Sequence, residues 1–416
     1  MTEAPRDDGA PRDPVAAVTH ADPYDYYARL VAERPFYHDA RLGLWVASSA
    51  AAVTAVLTAS ACRVRPPTEP VPRALLHSPA GAIFRHLVRM TDGVAHRTTK
   101  QAVAATLDAV DVARVDRESE RWAARLAQHV RSAAAPAHLT DFAFAVPVYV
   151  TGSLLGVSDD ALPEVAELVR DFVRCLAPTA TPEQIEQGTV AAGRLRERFH
   201  SALHGADAAP AIPGTLLGAL AGEAARFASA TPDVIVANAI GFLIQGHDAT
   251  AALINATLLT LARMPDVREL VVETPARLGE VIVEVLRYDA PVQNTRRFVA
   301  EPVTIEGEAL RVGDAILVVL AAANRDPRAN AAPHRFDVAR PDRQLFTFGV
   351  GPHACVGQTM AAAIARAAVA RLLADGLDPA RLGQHPAYSP SANCRIPLLE
   401  WGSAPDRARS TERSHA

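Results

Sequence analysis

Residues 348–357 constrain the fold of this chain more than any other segment. They read Phe-Gly-Val-Gly-Pro-His-Ala-Cys-Val-Gly and run directly into a predicted helix over 358–375. Glycines allow the backbone to bend sharply and to lie close to a flat partner. Backbone N–H groups and the positive end of the helix dipole would favour the thiolate form of Cys355. A lone cysteine in such a turn is usually a buried core residue, but the complete pattern predicts a functional thiolate.

Composition excludes several classes of protein. The chain has 416 residues and a formal net charge of −4, whereas nucleic-acid-binding proteins carry a basic surface. The cysteines are far apart and form no CxxC pair or Cys/His cluster with zinc spacing. So few cysteines in a long chain also argue against a disulfide framework. We therefore expect a protein of the cytoplasm, a reducing compartment, that binds no nucleic acid. The cysteines are Cys62, Cys175, Cys355 and Cys394.

Two segments bear on membrane attachment. Met1–Asp13 is polar and lacks the apolar core of a signal peptide or membrane anchor. The longest apolar stretch, Ala239–Leu261, is long enough to cross a bilayer. Gln245, His247 and Asp248 lie at its centre, where burial in lipid would be costly. This pattern predicts a buried helix with a functional polar patch and no membrane contact.

Hydrophobic periodicity predicts a mainly α fold with small β-sheets. We expect a polar N-terminal tail over 1–20, a single domain over 21–402 and a polar C-terminal tail over 403–416. Residues 63–82 are rich in proline and are predicted to form a loop. Helices are predicted at 24–33, 94–107, 111–132, 141–155, 160–175, 182–204, 214–228, 231–263, 266–272, 276–288 and 358–375. Strands are predicted at 36–38, 44–47, 297–305, 308–311 and 315–319.

The 348–357 segment resembles the haem-binding loop of the cytochrome P450 family, Phe-Gly-x-Gly-x-His-x-Cys-x-Gly, at every fixed position. The resemblance implies the triangular helical fold of that family and a haem b cofactor. It makes Cys355 the axial ligand of the haem iron, in a loop shaped by Gly349 and Gly357. By the same resemblance, Phe348 packs over the thiolate side of the haem and His353 contacts a propionate. Thiolate ligation pushes electron density onto the iron and favours O–O cleavage.

Further segments resemble the family in the same order along the chain. Glu284-Val285-Leu286-Arg287 resembles the family's Glu-x-x-Arg, and its spacing puts both charges on one helix face. The alternative is an ordinary surface ion pair, which contributes little stability. Pro333-His334-Arg335-Phe336 resembles the segment that supplies a second arginine. The resemblance implies a structural triad of Glu284, Arg287 and Arg335.

Three more cations are candidates for the haem propionates. Asp92-Gly93-Val94-Ala95-His96, with Lys100 one turn later, resembles the family helix that contacts the propionates. Arg297 matches the position of another propionate-binding arginine. Buried carboxylates need compensating cations. The alternatives are a solvated helix face for His96 and Lys100, and a strand-edge charge for Arg297.

The predicted helix over 231–263 departs from the family pattern Ala-Gly-x-(Asp/Glu)-Thr. The resemblance places Gly246 at the oxygen groove and Asp248 at the acid. Gln245 replaces the usual alanine, and Ala249 replaces the alcohol that positions a water for proton delivery. General acid help of this kind is worth on the order of a hundredfold or more. If the register slips by one residue, Thr250 is the alcohol instead.

Three substitutes for the missing hydroxyl remain open. A substrate hydroxyl or amide could deliver the proton, or an ordered water held by Asp248 could. The Gln245 amide is the third, because residues 245 and 249 share a helix face. Alternatively the enzyme removes hydrogen atoms without oxygen insertion.

The resemblance predicts a cytoplasmic oxidoreductase that inserts one atom of O2 into a medium-sized, largely apolar substrate, such as a secondary metabolite. Electrons would come from NAD(P)H through a ferredoxin reductase and a ferredoxin, since 416 residues leave no room for a flavin or iron–sulfur module. One alternative is oxidative C–C or C–N coupling of aromatic substrates. Another is a haem-binding protein without turnover.

Overall fold

The computed structural model describes residues 9–132, 137–204, 214–227 and 231–400. Fourteen α-helices dominate these residues, with nine short strands in three small sheets. The helices are α1 Tyr24–Glu33, α2 Ala50–Thr58, α3 Pro79–His86, α4 Gly93–Asp108, α5 Val112–Ser132, α6 Ala137–Leu155, α7 Leu162–Cys175, α8 Pro182–His204, α9 Leu216–Arg226, α10 Pro232–Arg263, α11 Pro265–Glu273, α12 Leu278–Tyr288, α13 Leu320–Asn324 and α14 Gln358–Ala374.

The largest sheet has five strands in the order β1-β2-β7-β4-β3. Within it, β2 and β7 pair in parallel and the other neighbours are antiparallel. Two hairpins, β5-β6 and β8-β9, stand apart from it. The strands are β1 Phe36–Asp39, β2 Leu44–Ala47, β3 Cys62–Arg63, β4 Thr295–Val299, β5 Val303–Ile305, β6 Glu308–Leu310, β7 Ala315–Val318, β8 Ala387–Tyr388 and β9 Pro397–Leu398.

The longest helix, α10, runs through the centre of the main hydrophobic core. Its start is fixed by Thr231, whose hydroxyl accepts the Val234 N–H at 3.4 Å, and by a proline at the first helical position. It ends before Pro265, which cannot continue a helix in register. α10 packs against α6, α14, α3 and α12. Most of its side chains are therefore buried, which explains the long apolar stretch in the sequence.

Within the described residues, no helix is both long enough and apolar enough to cross a lipid bilayer. α10 has the required length, but its polar residues lower the hydropathy of its centre. The helix is buried in protein, as its polar centre predicts.

Most predicted elements are observed within a few residues of their expected bounds, and three helices were missed. Neither α2 nor α13 was predicted, and α3 begins inside the expected loop over 63–82. α3 carries a recognisable start, because the Ser78 hydroxyl accepts the Gly81 N–H at 3.1 Å and Pro79 is its first residue. The predicted strand over 297–305 is two strands, β4 and β5.

The predicted N-terminal tail over 1–20 is wrong for its described part, residues 9–20. Ala17 and Val18 are fully buried, and Asp13 is buried as well. The Arg395 guanidinium donates to the carbonyl oxygens of Val18 and His20, at 3.1 and 2.5 Å. These contacts pin the segment to the C-terminal hairpin. Residues 1–8 and the predicted tail over 403–416 lie outside the described residues.

Candidate haem-thiolate site

The Cys355 loop is bent by glycines and braced by its own backbone. Gly349 and Gly351 have φ values of 67° and 73°, in the left-handed region that side chains disfavour. The Gly349 N–H donates to the Phe346 carbonyl at 2.7 Å, and the Cys355 N–H donates to the Phe348 carbonyl at 2.8 Å. A Cβ atom on Gly351 would lie 3.0 Å from the Thr58 methyl group, so the loop also lies tightly against the end of α2.

The Cys355 residue is exposed, although neighbouring protein atoms partly desolvate its sulfur. Burial raises the pKa of the thiol above its ordinary value, although the Gly357 N–H and Lys100 act in the opposite direction. The net shift of this pKa is upward in the free thiol. A metal ion coordinated by the sulfur would favour the thiolate form.

Four basic side chains and Asp92 converge beside the Cys355 loop. The His96 and His353 rings stack with their centroids 4.0 Å apart, and His353 Nε2 lies 3.3 Å from Asp92 Oδ1. The Lys100 ammonium donates to the Ala354 carbonyl oxygen. Arg297 on β4 is buried and interacts electrostatically with Asp92. The structure thus brings together four side chains that the sequence analysis assigned to the haem propionates.

Two buried atoms in this cluster lack a hydrogen-bond partner among the described residues. They are His96 Nε2 and Arg297 Nε. Leaving such groups unpaired costs about 1–3 kcal/mol each. Burial lowers the pKa of His96 to about 4, so its ring is neutral, whereas Arg297 is a cation. A group that brings two more carboxylates would pair them. The residues present therefore fit a haem, with its two propionates against this cluster and its iron against Cys355.

Phe348 and Gly357 complete the loop. Phe348 is partly buried and packs against the main core. A Cβ atom on Gly357 would lie 3.9 Å from the Cys355 sulfur, at ordinary van der Waals distance. Gly357 also directs its N–H toward the sulfur. Gly357 therefore lies next to the thiol, and Phe348 anchors the loop to the main core.

Glu284 on α12 is fully buried, and three arginines surround it. Arg287 Nη2 lies 2.7 Å from Glu284 Oε1, Arg343 Nε lies 2.8 Å from Oε2, and Arg340 Nε lies 3.2 Å from Oε1. The predicted role of Arg335 is wrong, because its side chain is 72% exposed and pairs with Asp337. Only its backbone takes part, since the Arg335 carbonyl accepts from Arg287. The cluster joins α12 to the segment that precedes the Cys355 loop.

The polar face of α10 turns toward open space. Gln245, Gly246, Asp248 and Ala249 are partly exposed on this otherwise buried stretch, whereas Thr250 is buried. The Thr250 hydroxyl lies 3.8 Å from the position that a Cβ on Gly246 would take. The burial of Thr250 and the partial exposure of Ala249 favour the register with Ala249 at the alcohol position. The Gln245 amide donates to the Gly241 carbonyl at 3.0 Å, so it is held along its own helix.

Two residues at this site had no assigned role in the sequence reasoning. His247 Nδ1 lies 2.7 Å from Asp248 Oδ1, and its ring stacks on Phe144 with centroids 4.9 Å apart. Arg89, just before α4, interacts electrostatically with Asp248. A role for His247 could have been predicted from the sequence, because His247 directly precedes the acid Asp248. Arg89 could not, because only the fold brings it to α10.

Comparison with known proteins agrees with this geometry. The family model described as Cytochrome P450 matches residues 277–375, which include the Glu284 cluster, Arg297 and the Cys355 loop. The vitamin D(3) 25-hydroxylase of Pseudonocardia autotrophica is 33% identical over 240 residues, 57% of each chain. The 6-deoxyerythronolide B hydroxylase of Saccharopolyspora erythraea is 34% identical over 225 residues, 53% of each chain. The aligned region thus spans little more than half the length of these relatives.

Solved structures share the fold over nearly the whole chain. CalO2 superposes with a TM-score of 0.78 at 24% identity, covering 95% of this chain and 99% of that one. P450BioI, solved in complex with an acyl carrier protein ligated to hexadec-9Z-enoic acid, gives 0.78 at 22% identity, covering 91% and 97%. The Cys355 loop, the basic side chains beside it and these similarities all support one family, the bacterial cytochromes P450. Members of that family bind haem b.

Proposed function

We propose that the protein is a haem-thiolate monooxygenase of a medium-sized, largely apolar substrate. The carrying observation is that the Cys355 thiol is exposed beside a cluster of basic side chains, two of which, His96 and Arg297, have buried nitrogen atoms without a partner. In the proposed reaction one atom of O2 enters a substrate C–H bond and the other leaves as water, with two electrons and two protons consumed. Several relatives carry hydroxylase names, among them the two described above, which supports this reaction class.

Each residue would have a defined part in holding the cofactor. Cys355 would bind the haem iron as a thiolate, and the haem would supply the oxidising chemistry for O2. Arg297, His96, Lys100 and His353 would pair with the propionates. Gly349 and Gly357 let the loop lie close to the porphyrin, and Phe348 shields the thiolate side.

Proton delivery falls to the polar face of α10. Asp248 is partly exposed to the open space and carries a carboxylate that can pass a proton from Oδ1 or Oδ2. Ala249 offers no hydroxyl to position a water. The Gln245 amide is engaged with its own helix, which makes it a weaker substitute than a substrate group or a water held by Asp248. We therefore favour these last two of the three substitutes.

Ala249 also supports a second candidate, oxidative coupling of aromatic substrates. Such coupling removes one hydrogen atom from each of two C–H or N–H bonds and joins the carbon or nitrogen atoms, while O2 takes up these hydrogens, two electrons and two protons to form two waters. A hydroxyl tuned for oxygen insertion is then less important. Product analysis distinguishes the two, because only monooxygenation places an atom from ¹⁸O2 in the product.

The electron donors in both cases would be a ferredoxin and its NAD(P)H-dependent reductase, in the cytoplasm. The proposal does not depend on which ferredoxin is used. A surrogate pair that drives substrate-dependent NADH oxidation supports turnover, whereas none of several pairs doing so would favour a haem-binding protein without turnover.

The decisive first experiment is the carbon monoxide difference spectrum of the dithionite-reduced, haem-loaded protein. We expect a Soret band at the red-shifted position of thiolate ligation in the wild type. Cys355→Ser should abolish that band, while the control Cys175→Ala, which removes a buried thiol on α7, should keep it. A histidine-type band in the wild type, or an unchanged band in Cys355→Ser, would overturn the proposal.

A further inference from the structure

The middle of α10 carries one narrow stripe of accessible surface. Four partly exposed residues, at intervals of three to four, lie on this face of the helix: Phe242, Gln245, Gly246 and Ala249. The turns before and after the stripe are buried in the main core. Apart from its chain neighbours and the helix backbone, only the Thr250 hydroxyl would lie within 4 Å of a Cβ atom on Gly246, at 3.8 Å. The stripe therefore borders open space inside the fold.

The Gln245 side chain has a fixed position on this stripe. Its Nε2 donates to the Gly241 carbonyl oxygen at 3.0 Å, one turn earlier. A carbonyl oxygen only accepts hydrogen bonds, so the amide nitrogen faces it and cannot exchange places with Oε1. Gly241 makes room for this contact, because a Cβ atom there would lie 2.9 Å from Gln245 Nε2 and 3.0 Å from Leu87 Cδ2. The nitrogen side of the amide is thus held against the helix, beside Leu87.

The oxygen of the same amide has no partner. No hydrogen bond reaches Gln245 Oε1 from the described residues, although an amide oxygen can accept two. Other unpaired oxygen atoms, such as Gln293 Oε1, are sealed in the interior, but Gln245 Oε1 is not buried. It is therefore an accessible acceptor, held in place by its own helix, on the only accessible stripe of this stretch of α10.

We propose that Gln245 Oε1 accepts a hydrogen bond from a hydroxyl or N–H group of the substrate. This inference rests on the proposed function and narrows it: the substrate is a largely apolar molecule that carries one such donor close to the carbon that is oxidised. Phe242 and Ala249, the neighbours of Gln245 on the stripe, offer no acceptor in their side chains. The hydrogen bond would therefore fix which part of the substrate lies against α10.

The same contact accounts for the missing hydroxyl at Ala249. Residues 245 and 249 lie one turn apart on the same face of the helix. A substrate hydroxyl held by Gln245 Oε1 would therefore lie toward the position where Ala249 offers none. The glutamine and the alanine, which both depart from the family pattern, then have one explanation: the substrate brings the hydroxyl and Gln245 holds it.

The test uses the haem-loaded full-length protein and probes that differ in one polar group. The probes are cyclododecanol, its methyl ether and cyclododecanone, together with indole and 1-methylindole. Dissociation constants are measured from the shift of the Soret band to shorter wavelength, because an alcohol that coordinates the iron directly shifts the band the other way. In the wild type we expect cyclododecanol or indole to bind about 2- to 10-fold more tightly than its methylated partner, the range of a neutral hydrogen bond.

Two variants act on the same oxygen by different routes. Gln245→Met keeps the length of the side chain but removes the acceptor, so it should lose the preference and bind the methylated probe as the wild type does. Gly241→Ala keeps Gln245 but displaces its amide, since the new Cβ would lie 2.9 Å from Nε2, and should also lower the preference. Gly222→Ala on α9 is the matched control, because a Cβ there has nothing within 4 Å. It should keep the full preference.

Three outcomes would overturn the inference. The first is that neither cyclododecanol nor indole binds more tightly than its methylated partner, including the case in which no probe binds. The second is that Gln245→Met keeps the preference, which would move the acceptor to Asp248, or weakens both members of a pair equally, which would make Gln245 a packing residue. The third is that the wild type prefers cyclododecanone to cyclododecanol, which would make the amide a donor. The carbon monoxide spectrum is recorded first for each protein, so that a failure of thiolate ligation, which sinks the proposed function, is recognised separately.

Discussion

His247 Nδ1 lies 2.7 Å from Asp248 Oδ1, between side chains that are neighbours in the sequence. The imidazole is buried and its ring stacks on Phe144 of α6. It cannot rotate without losing that contact, so it holds the adjacent carboxylate in one orientation. Ala249 has no hydroxyl, so we expect the His247–Asp248 pair to take over proton delivery on α10. His247 acts through Asp248 and is therefore a positioning residue.

Substitutions of Asp248 and His247 should lower the rate of substrate oxidation to different extents. Asp248→Asn removes the acid and should lower substrate oxidation on the order of a hundredfold. His247→Phe keeps a ring against Phe144 but removes the Nδ1 contact, and should lower the rate on the order of tenfold. Both rates are measured as product formed per enzyme with a surrogate ferredoxin pair.

A readout besides rate separates positioning from packing. In His247→Phe the fraction of NADH that yields peroxide instead of product should rise, because the Asp248 carboxylate is no longer held in one orientation. His247→Gln retains a donor and should recover part of the rate and of the coupling. Equal rates and equal peroxide fractions in the wild type and His247→Phe would contradict the positioning role.

Ala249→Thr tests whether proton delivery is limited by the missing hydroxyl at position 249. Because Ala249 is on the open side of α10, the new hydroxyl would face the substrate. If a substrate group already delivers the proton, the fraction of NADH that yields product instead of peroxide should change by less than about twofold. A large gain in coupling would show that a hydroxyl was simply missing. Thr250→Ala is the control and should leave coupling unchanged, since Thr250 is buried.

Much of this architecture could be predicted from the sequence because its signals are local. The Cys355 loop, the start of α10 at Thr231 and the Glu284–Arg287 spacing each lie within a few residues of chain. His96, Lys100 and Arg297 were brought into one site only by resemblance to a family. Their mutual contacts depend on how α4 and β4 meet the Cys355 loop.

The features that the sequence did not predict depend on contacts between segments that are distant along the chain. Arg335, Arg340 and Arg343 follow one another closely, and only the path of the loop decides which two reach Glu284. Similarly, Val18 is buried because Arg395 binds its carbonyl from the other end of the chain. Arg89 interacts electrostatically with Asp248 because Asn238 holds the turn that carries Arg89 against α10. No local pattern encodes such distances.

Glu284→Gln should destabilise the protein strongly. The substitution keeps the size of the side chain but leaves Arg287, Arg340 and Arg343 without their buried countercharge. Breaking a buried ion pair by removing one partner costs about 3–5 kcal/mol. The midpoint of urea unfolding, followed by circular dichroism, measures the loss. Arg335→Ala should change it little, because the Arg335 side chain is 72% exposed.

The same carboxylate predicts a pH dependence. Burial by itself raises the pKa of Glu284, but hydrogen bonds from Arg287 and the Asp337 N–H outweigh burial and lower it below the ordinary value of 4.5. A lowered folded-state pKa gives stability that is present above the unfolded pKa and lost as the pH falls through the folded one. The stability gap between wild type and Glu284→Gln should therefore be constant above about pH 5.5 and narrow on further acidification. A gap that widens toward low pH would contradict this assignment.

Arg297 and its neighbour Arg296 offer a matched test of the propionate site. Both lie on β4, but Arg297 is buried, with an unpaired Nε, whereas Arg296 is exposed. Arg297→Leu removes a buried cation from the cluster and should lower haem affinity on the order of tenfold, the worth of a charged hydrogen bond. Arg297→Lys restores the charge and should recover part of the affinity, and Arg296→Leu should match the wild type. Haem affinity is compared by measuring the rate of haem transfer to excess apomyoglobin for the wild type and the three variants. Circular dichroism checks that both leucine variants are folded. If Arg297→Leu and Arg296→Leu then transfer haem at equal rates, Arg297 does not bind a propionate. In that case Asp92 alone balances the buried charge of Arg297.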